Sequence, residues 1–462
     1  MIARSAAWIA DVTGGVLVAP EDVTVTSVAH DSRHVNPGAL YVALPGERAD
    51  GHDFVAAATD AGAVLHLVTR TVEHPHVRVA DTTAALGAIA RAYLAELRST
   101  GEIQVVGITG SNGKTTTKDL LAAAIPDVVA PVESFNNEVG LPLTVLRADE
   151  NTRTLVLEMG ASGPGQITYL TSIAPLDVAC VLMVGSAHRG MYESFEAIAA
   201  AKKEIVEGLL PTGVAVLNSD DAHVMAMAES APRVVTFGRG QADVAATHVE
   251  MRQGHARITV SNGPVGMLAA QCIPQQATLG LLGEHHVTNA LAAIAVAVEC
   301  GVRFEEAVRD VAGVTSVSGQ RMALTHRRDG IVVLDDSYNA SVESVIAAFR
   351  SLKDVAEGAR TIAVLGEILE MGEESVSAHA QLGREAVRLD ISTLVVVGEG
   401  AKPAYDSALL EGSWGEEARY VATIDEADTL LREILGSGDT VLFKASHGTG
   451  VWKLAQTWTE DG

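Results

Sequence analysis

The chain has 462 residues, of which 48% are hydrophobic, and a formal net charge of −25. This length exceeds what one hydrophobic core usually serves, so two or three domains are expected. The negative charge argues against non-specific nucleic-acid binding, because phosphate backbones attract clusters of Lys and Arg. An anionic substrate is still possible, since a few local cations and helix N-termini can hold phosphates.

The N-terminal residues MIARSAAWIADVTGG contain neither a continuous apolar run nor a cleavage-site pattern, so no signal peptide is predicted. The most apolar stretches, such as residues 178–184, have the length of a strand and fall short of the roughly 20 residues that span a bilayer. Cys180, Cys272 and Cys300 lie far apart in apolar runs, which predicts buried, reduced thiols. Together these features predict a cytoplasmic protein without membrane insertion.

Hydrophobic patterning divides the chain into three segments. The first hundred residues mix short strand-like runs with turns and end in a helical stretch at 83–96. From Glu102, the strand-like runs QVVGIT, TLVLEMG, DVACVLMVG and VAVLN alternate with helical segments, which is typical of a parallel sheet covered by helices on both faces. Residues 254–263 read as an inserted surface hairpin, and a helix around 289–298 completes this segment.

A turn-rich stretch at residues 312–320 predicts a hinge. Beyond it, the strand-like runs IVVLD, TIAVLG, TLVVVG and TVLFK are again separated by helices. We therefore predict an α/β protein of three domains: a small N-terminal α/β domain (1–99), a central parallel-sheet P-loop ATPase domain (100–318) and a C-terminal Rossmann-like α/β domain (319–462).

The strongest local signal is GITGSNGKTTTK, residues 107–118, which lies between a strand and a helix. Gly110 and Gly113 would let successive backbone N–H groups point at an anion, and the helix dipole adds to that field. Lys114 would reach the β- and γ-phosphates, and the Thr115 hydroxyl would bind Mg²⁺. The first glycine, Gly107, stands one residue too early for the strict P-loop spacing, and the alternative is a chance turn before a helix.

Polar residues also follow two of the central strands. Glu158 ends TLVLEMG, and His188 lies just past CVLMVG. Each residue alone is compatible with a solvated carboxylate or a structural histidine. Because ligands bind at the carboxyl ends of parallel strands, their position beside a phosphate loop favours metal ligation. Carboxylate, hydroxyl and phosphate oxygens are the ligands Mg²⁺ prefers.

The helical segment IAAAKKEIVEGLL places a lysine on an apolar face. Lys202 shares helical spacing with Ile198 and Ile205, whereas Lys203 points elsewhere and can pair with Glu207. One interpretation is snorkelling of the ammonium to water. The other is a buried, neutral amine that captures CO₂ as a carbamate and supports a second Mg²⁺, since burial lowers lysine pKa values.

These motifs, taken together, resemble the Mur ligases, the amino-acid-adding enzymes of peptidoglycan synthesis. The central and C-terminal resemblance rests on GITGSNGKTTT, SFNNEVGLPLTVL, LVLEMGASGPGQI, IAAAKKEI, LNSDD, GEHHVTNALAAIAVA, LDDSYNAS and VLGEILEMG. DSRHVNPGALYVALPGERADGHDFVAAATDAGA resembles the family's N-terminal domain, which holds the UDP end of a nucleotide-sugar substrate. The resemblance covers nearly the whole chain in the right order. Asn136-Asn137 and DSYNAS are similar to the members that add D-alanyl-D-alanine to UDP-N-acetylmuramoyl-tripeptide.

The resemblance implies roles for individual positions. Lys114, Glu158, His188 and Lys202 are the implied catalytic residues. Thr115 and Glu158 would bind one Mg²⁺, and His188 would support a second together with a carbamylated Lys202. The implied ATP contacts are Gly110, Ser111, Asn112, Gly113, Lys114, Thr115 and Thr116 in the loop, Asn289 on adenine, Arg321, and Asp336 on the ribose. Asp31, Ser32 and Arg33 would lie near the uridine nucleotide, and Asn136, Asn137, Tyr338 and Asn339 near the substrates.

Some positions depart from the family pattern. Arg189 and Tyr192 stand where Leu and Phe are frequent, His447 replaces a common arginine, and Ser341-Val342 replace Asn-Pro. These differences affect the expected metal and dipeptide contacts.

The implied reaction is transfer of the γ-phosphoryl group of ATP to a carboxylate, attack by the amine of D-alanyl-D-alanine on the acyl phosphate, and release of ADP and phosphate. Closure of the C-terminal domain would assemble the site and exclude water. The partners would be small molecules, and the protein is expected to be a monomer. The alternatives are a related Mur ligase or a folylpolyglutamate synthase-like enzyme that adds a different amino acid, and a catalytically silent ATP-binding regulator.

Overall fold

A computed structural model describes residues 1–20, 22–46, 49–186, 189–263, 273–412 and 417–460. His188 and Cys272, two residues singled out from the sequence, lie outside the described residues. The chain forms three α/β domains in succession, each with its own main sheet. Within the described part of the chain, no helix combines the length and apolar character that crossing a membrane requires.

The N-terminal domain contains a five-stranded sheet in the order β2-β7-β6-β5-β4 and a small antiparallel pair, β1-β3. Its elements are β1 (Arg4–Ser5), α1 (Ala6–Thr13), β2 (Val16–Val18), β3 (Thr24–Val25), β4 (Ser27–Ala29), β5 (Ala39–Val42), α2 (Val55–Asp60), β6 (Ala63–Val68), β7 (His76–Arg78) and α3 (Thr82–Thr100). Helix α3 confirms the predicted helix at 83–96. Its buried Tyr93 donates to the backbone oxygen of Ala148 over 2.6 Å, so α3 joins the N-terminal domain to the central core.

The central domain is built on a nine-stranded sheet in the order β16-β15-β14-β13-β12-β11-β8-β10-β9. Its strands are β8 (Gln104–Thr109), β9 (Val128–Val129), β10 (Thr154–Glu158), β11 (Leu176–Val181), β12 (Leu209–Asn218), β13 (Val234–Gly238), β14 (Val244–Arg252), β15 (His255–Asn262) and β16 (Gln275–Leu282). Its helices are α4 (Lys114–Ala124), α5 (Gly140–Val145), α6 (Gln166–Ile173), α7 (Phe195–Glu207), α8 (Ala222–Met225), α9 (His286–Glu299) and α10 (Phe304–Ala312).

Strands β8 to β14 of this sheet are parallel, as predicted, whereas β15 and β16 are antiparallel. The prediction of a separate surface hairpin at 254–263 is therefore corrected. Strands β14 and β15 do form a hairpin, but it is part of the main sheet, and β16 pairs with the outer edge of β15. Both faces of the parallel part are apolar and buried. Val105 faces the core shared with α3, α6 and α7, and its neighbour Val106 faces α4, α9 and α10.

The C-terminal domain has a six-stranded sheet in the order β17-β18-β22-β19-β20-β21, parallel except for β17. Its elements are β17 (Ala323–His326), β18 (Val332–Asp335), α11 (Val342–Ala356), β19 (Thr361–Leu365), α12 (Ser375–Arg388), β20 (Thr393–Val397), α13 (Lys402–Glu411), β21 (Ala418–Val421), α14 (Ile424–Ile434), β22 (Thr440–Lys444) and α15 (Val451–Glu460). The four predicted strands are β18, β19, β20 and β22. The two edge strands were missed.

Candidate active site

A cavity of about 1700 Å³ lies where the three domains meet. It is bounded by the carboxyl ends of β8, β10 and β11, by the start of α3, and by loops that follow β18 and β22. Carboxyl ends of parallel strands are where α/β proteins bind ligands, because loops and helix N-termini converge there. The cavity is therefore the candidate active site.

The phosphate loop turns from β8 into α4 at one edge of this cavity. Gly113 has a φ of 87°, and a Cβ there would lie 2.3 Å from Oδ1 of Asn289, so only glycine fits this position without strain. Ser111 ties the loop to the segment after β11: its amide donates to the Met183 oxygen (3.0 Å) and its hydroxyl to the Gly185 oxygen (3.0 Å). The strand–loop–helix arrangement predicted for residues 107–118 is confirmed.

Lys114 is the first residue of α4 and folds over the loop. Its Nζ donates to the Gly110 oxygen over 2.8 Å. Burial lowers the pKa of Lys114, while the nearby Glu158 carboxylate opposes that shift. A cation at this place faces the cavity beside the N-terminus of α4, where an anion is favoured.

The Thr115 hydroxyl is the centre of a network of oxygen atoms. It donates to Oε2 of Glu158 over 2.9 Å and lies 3.1 Å from the Ser134 hydroxyl. The other carboxylate oxygen of Glu158 accepts from Ser134 (2.9 Å) and from Nδ2 of Asn136 (3.0 Å). Hydroxyl and carboxylate oxygens grouped in this way are ligands that suit Mg²⁺. Among the described residues, no group of three His, Cys, Asp or Glu side chains forms a ready-made metal site.

The C-terminal domain reaches the same network. Nη2 of Arg321 donates to the Thr115 hydroxyl over 3.1 Å, and the guanidinium lies 4.4 Å from the ring centre of Tyr338. Asp336 forms a buried ion pair with Lys444, whose Nζ lies 2.6 Å from Oδ2. Groups from both sides of the predicted hinge thus share one site.

Two further contacts join the central and C-terminal domains beside the phosphate loop. Nδ2 of Asn112 donates to the Ser341 hydroxyl over 3.0 Å. The amide and hydroxyl of Ser186 donate to the carboxylate of Glu343 over 2.9 and 3.0 Å. The loop is therefore held from its own domain and from the start of α11.

Lys202 lies on α7 and lines the cavity with only 4% of its surface exposed. Its neighbours at helical spacing, Ile198 and Ile205, are fully buried. Burial, with a smaller contribution from the nearby Lys114, lowers the pKa of Lys202 to about 7. Lys203 points outward and pairs with Glu207 at 3.1 Å, as predicted. The structure thus supports a buried, readily neutralised amine rather than a snorkelling one.

Comparison with known proteins identifies the family. Three family models match in order: the Mur ligase family catalytic domain (residues 24–94), the Mur ligase middle domain (108–297) and the Mur ligase glutamate ligase domain (320–447). A protein of Mycobacterium leprae named UDP-N-acetylmuramoyl-tripeptide–D-alanyl-D-alanine ligase is 42% identical over 100% of this chain and 99% of its own length. The chain belongs to the Mur ligase family.

Solved structures agree with this membership. A crystal structure of MurF from Acinetobacter baumannii superposes on this Mur ligase with a TM-score of 0.86, 30% identity and 99% coverage of both chains. MurF from Thermotoga maritima, solved in complex with ADP, gives a TM-score of 0.79 at 27% identity, covering 95% of this chain and 98% of the other. The three-domain α/β fold predicted from the sequence is confirmed.

Most of the residues singled out in the sequence of this Mur ligase line this cavity. They are Gly110, Ser111, Asn112, Gly113, Lys114, Thr115, Thr116, Asn136, Asn137, Glu158, Lys202, Asn289, Arg321, Asp336, Tyr338 and Asn339. His188 lies outside the described residues. Asp31, Ser32 and Arg33 do not line the cavity; Asp31 instead begins a short 3₁₀ turn and pairs with Arg33 at 2.6 Å.

Several cavity residues of this Mur ligase were not predicted. Ser134 donates a hydrogen bond to Glu158, and Lys444 forms an ion pair with Asp336. Glu343 accepts a hydrogen bond from the Ser186 amide. Lys444 had a usable signal, since it ends the predicted strand TVLFK at the sheet edge where ligands bind. Ser134 begins the quoted motif SFNNEVGLPLTVL, but its contact with Glu158 depends on how that loop folds and could not be predicted.

Proposed function

We propose that this Mur ligase joins D-alanyl-D-alanine to UDP-N-acetylmuramoyl-tripeptide with ATP, releasing ADP and phosphate, as a step of peptidoglycan precursor synthesis. The observation that carries the proposal is the phosphate loop facing Glu158 and Arg321 in one cavity, in a chain similar over its full length to ligases of that name. The substrates are small molecules, and we expect a cytoplasmic monomer.

The chemistry follows from the need to activate a carboxylate. Direct amide formation would expel oxide, whereas an acyl phosphate expels phosphate. Two anions must meet for the phosphoryl transfer, so the protein contributes mainly positioning and charge neutralisation. Lys114 and the loop amides would bind the ATP phosphates, and Arg321 would approach them from the C-terminal domain. The amine of the dipeptide then attacks the acyl phosphate and the tetrahedral intermediate collapses to the amide.

Thr115 and Glu158 would hold Mg²⁺, because their oxygen atoms already lie together beside the loop. Bound Mg²⁺ supplies neutralisation of phosphate charge. A second Mg²⁺ would involve His188 and a carbamylated Lys202. The buried position of Lys202 and its lowered pKa support that proposal, since only a neutral amine adds to CO₂.

The remaining assignments extend the proposal to the substrates. Asn289, from the central domain, would contact adenine, and Asp336, from the C-terminal domain, would contact the ribose. Asp31 and its neighbours Ser32 and Arg33 would bind the uridine nucleotide from the N-terminal domain. Their place outside the main cavity suits a long substrate whose nucleotide end lies apart from the reacting carboxylate.

Phosphate release with UDP-N-acetylmuramoyl-tripeptide and a panel of amines tests the proposal. We expect ATP-dependent release that requires both the nucleotide substrate and D-alanyl-D-alanine. Lys114→Ala, which should release phosphate much more slowly, serves as the control for the phosphate loop. If a single amino acid stimulated release and D-alanyl-D-alanine did not, the proposed substrate would be wrong.

A further inference from the structure

A buried ion pair lies one turn beyond the phosphate loop and outside the cavity. Lys118 and Asp119 are neighbours on α4, and Lys118 is 1% exposed. The Lys118 ammonium forms an ion pair with the Asp119 carboxylate and donates to the Pro131 oxygen over 3.0 Å. The reaction proposed above uses neither side chain.

The same pair holds the segment that leads into the C-terminal domain. The amide of Ser318 donates to Oδ2 of Asp119 over 2.7 Å, and the Ser318 hydroxyl donates to Oδ1 over 2.9 Å. Nζ of Lys118 also lies 3.3 Å from that hydroxyl. The Lys118–Asp119 ion pair therefore forms hydrogen bonds with two segments that are remote from each other in sequence, one at Pro131 and one at Ser318.

Both segments return to the phosphate site within three residues. Ser134 follows Pro131 and lies 3.1 Å from the Thr115 hydroxyl. Arg321 follows Ser318 and donates to that hydroxyl over 3.1 Å. Thr115 itself stands one turn before Asp119 on α4, so the pair and the site share a rigid helix.

We propose that Lys118 and Asp119 are positioning residues that set Ser134 and Arg321 around Thr115 and thereby fix the nucleotide site. Removing one partner of a buried ion pair leaves an uncompensated charge, so the attached segments shift rather than stay in place. Small displacements of positioning groups lower catalysis strongly, by up to about a hundredfold for 1 Å. The inference rests on the proposed function only in taking ATP as the ligand of this site.

Asp119→Asn tests the proposal, with Asp439→Asn as a matched control. Asp439 is also a largely buried carboxylate in an ion pair, 3.1 Å from Arg360, and it precedes β22 at the end remote from the cavity. The readouts are the melting temperature and the dissociation constant of a non-hydrolysable ATP analogue with Mg²⁺, measured by calorimetry. We expect both variants to melt at lower temperature, but only Asp119→Asn to bind the analogue at least about tenfold more weakly.

Ser318→Ala provides a second variant if Asp119→Asn does not fold. It removes only the hydroxyl that accepts from Lys118 and donates to Asp119, and we expect the analogue to bind about threefold more weakly, with Ser318→Thr restoring affinity. Unchanged analogue affinity in folded Asp119→Asn and Ser318→Ala would overturn the proposal. Because analogue binding needs no acceptor, a wrong dipeptide assignment would leave this result unaffected, whereas a wild-type protein that binds no analogue would refute the ATP site itself.

Discussion

Lys202→Met should make the protein inactive and more stable. Lys202 is buried against Ile198 and Ile205, where an ammonium loses its hydration and is disfavoured further by the nearby Lys114. Methionine has a similar length and no charge, so it can occupy the same apolar place. We expect Lys202→Met to have a higher free energy of unfolding, because the buried ammonium of Lys202 is retained for catalysis and is unfavourable for folding.

The size and the pH dependence of this gain follow from the pKa of Lys202. Burial lowers it from 10.5 to about 7 in the folded protein, so the unfolded chain binds more protons between those values. Wild-type stability therefore rises with pH across this window. The penalty at pH 7 is about 4 kcal/mol, and it falls by about 1 kcal/mol between pH 6 and pH 8 as the folded amine becomes neutral.

Urea unfolding followed by circular dichroism, in buffer depleted of CO₂, measures this difference at pH 6, 7 and 8. The free energy of unfolding of Lys202→Met should exceed that of the wild type at each pH, with the gap narrowing toward pH 8. Lys203→Met is the control, because Lys203 is partly exposed and paired with Glu207. Parallel wild-type and Lys202→Met curves from pH 6 to pH 8 would refute the reasoning, since they would mean that this lysine does not change its charge there.

Three substitutions test the phosphate site. Lys114→Ala should lower kcat by about two to three orders of magnitude, because it removes a cation from the developing charge, and normal turnover would exclude this role. Gly113→Ala should abolish binding of an ATP analogue in calorimetry, since its Cβ would lie 2.3 Å from the Asn289 side chain in a left-handed backbone conformation; retained affinity would show that the loop can adjust. Arg321→Lys should raise the KM for ATP about tenfold in a phosphate-release assay, because lysine cannot both stack on an aromatic ring and reach Thr115, and an unchanged KM would contradict that.

The parts of the site that could be predicted from the sequence are those fixed by local patterns. A strand, a glycine turn and a helix determine where Lys114 and Thr115 lie, and all three are local. Glu158 was predicted because it ends an apolar strand, and the carboxyl ends of parallel strands share one edge. Helical spacing placed Lys202 on an apolar face, but left open whether its ammonium is buried or reaches water.

The parts that could not be predicted depend on which elements become neighbours. Lys444 pairs with Asp336 because β22 inserts between β18 and β19, although it is the last strand in the chain. Chain order gives no sign of that insertion. The edge strands β17 and β21 were missed because each has only four residues and little buried surface, so tertiary pairing rather than hydrophobic pattern defines them.

The departures from the family pattern lie mainly on the C-terminal side of the cavity, and the structure gives two of them a physical role. Ser341 caps α11 by accepting from the Ser344 amide over 3.2 Å while it binds Asn112 of the phosphate loop. His447 stacks in parallel on Trp452, with ring centres 5.4 Å apart. The phosphate loop and Glu158 keep the expected residues, since the phosphoryl chemistry is the same whichever amine is added, whereas Arg189 and Tyr192 depart from the pattern beside the expected metal ligand His188. We therefore expect variation on the C-terminal side to alter how the domains meet, as at Ser341 and Asn112, and not to alter the activation of the carboxylate.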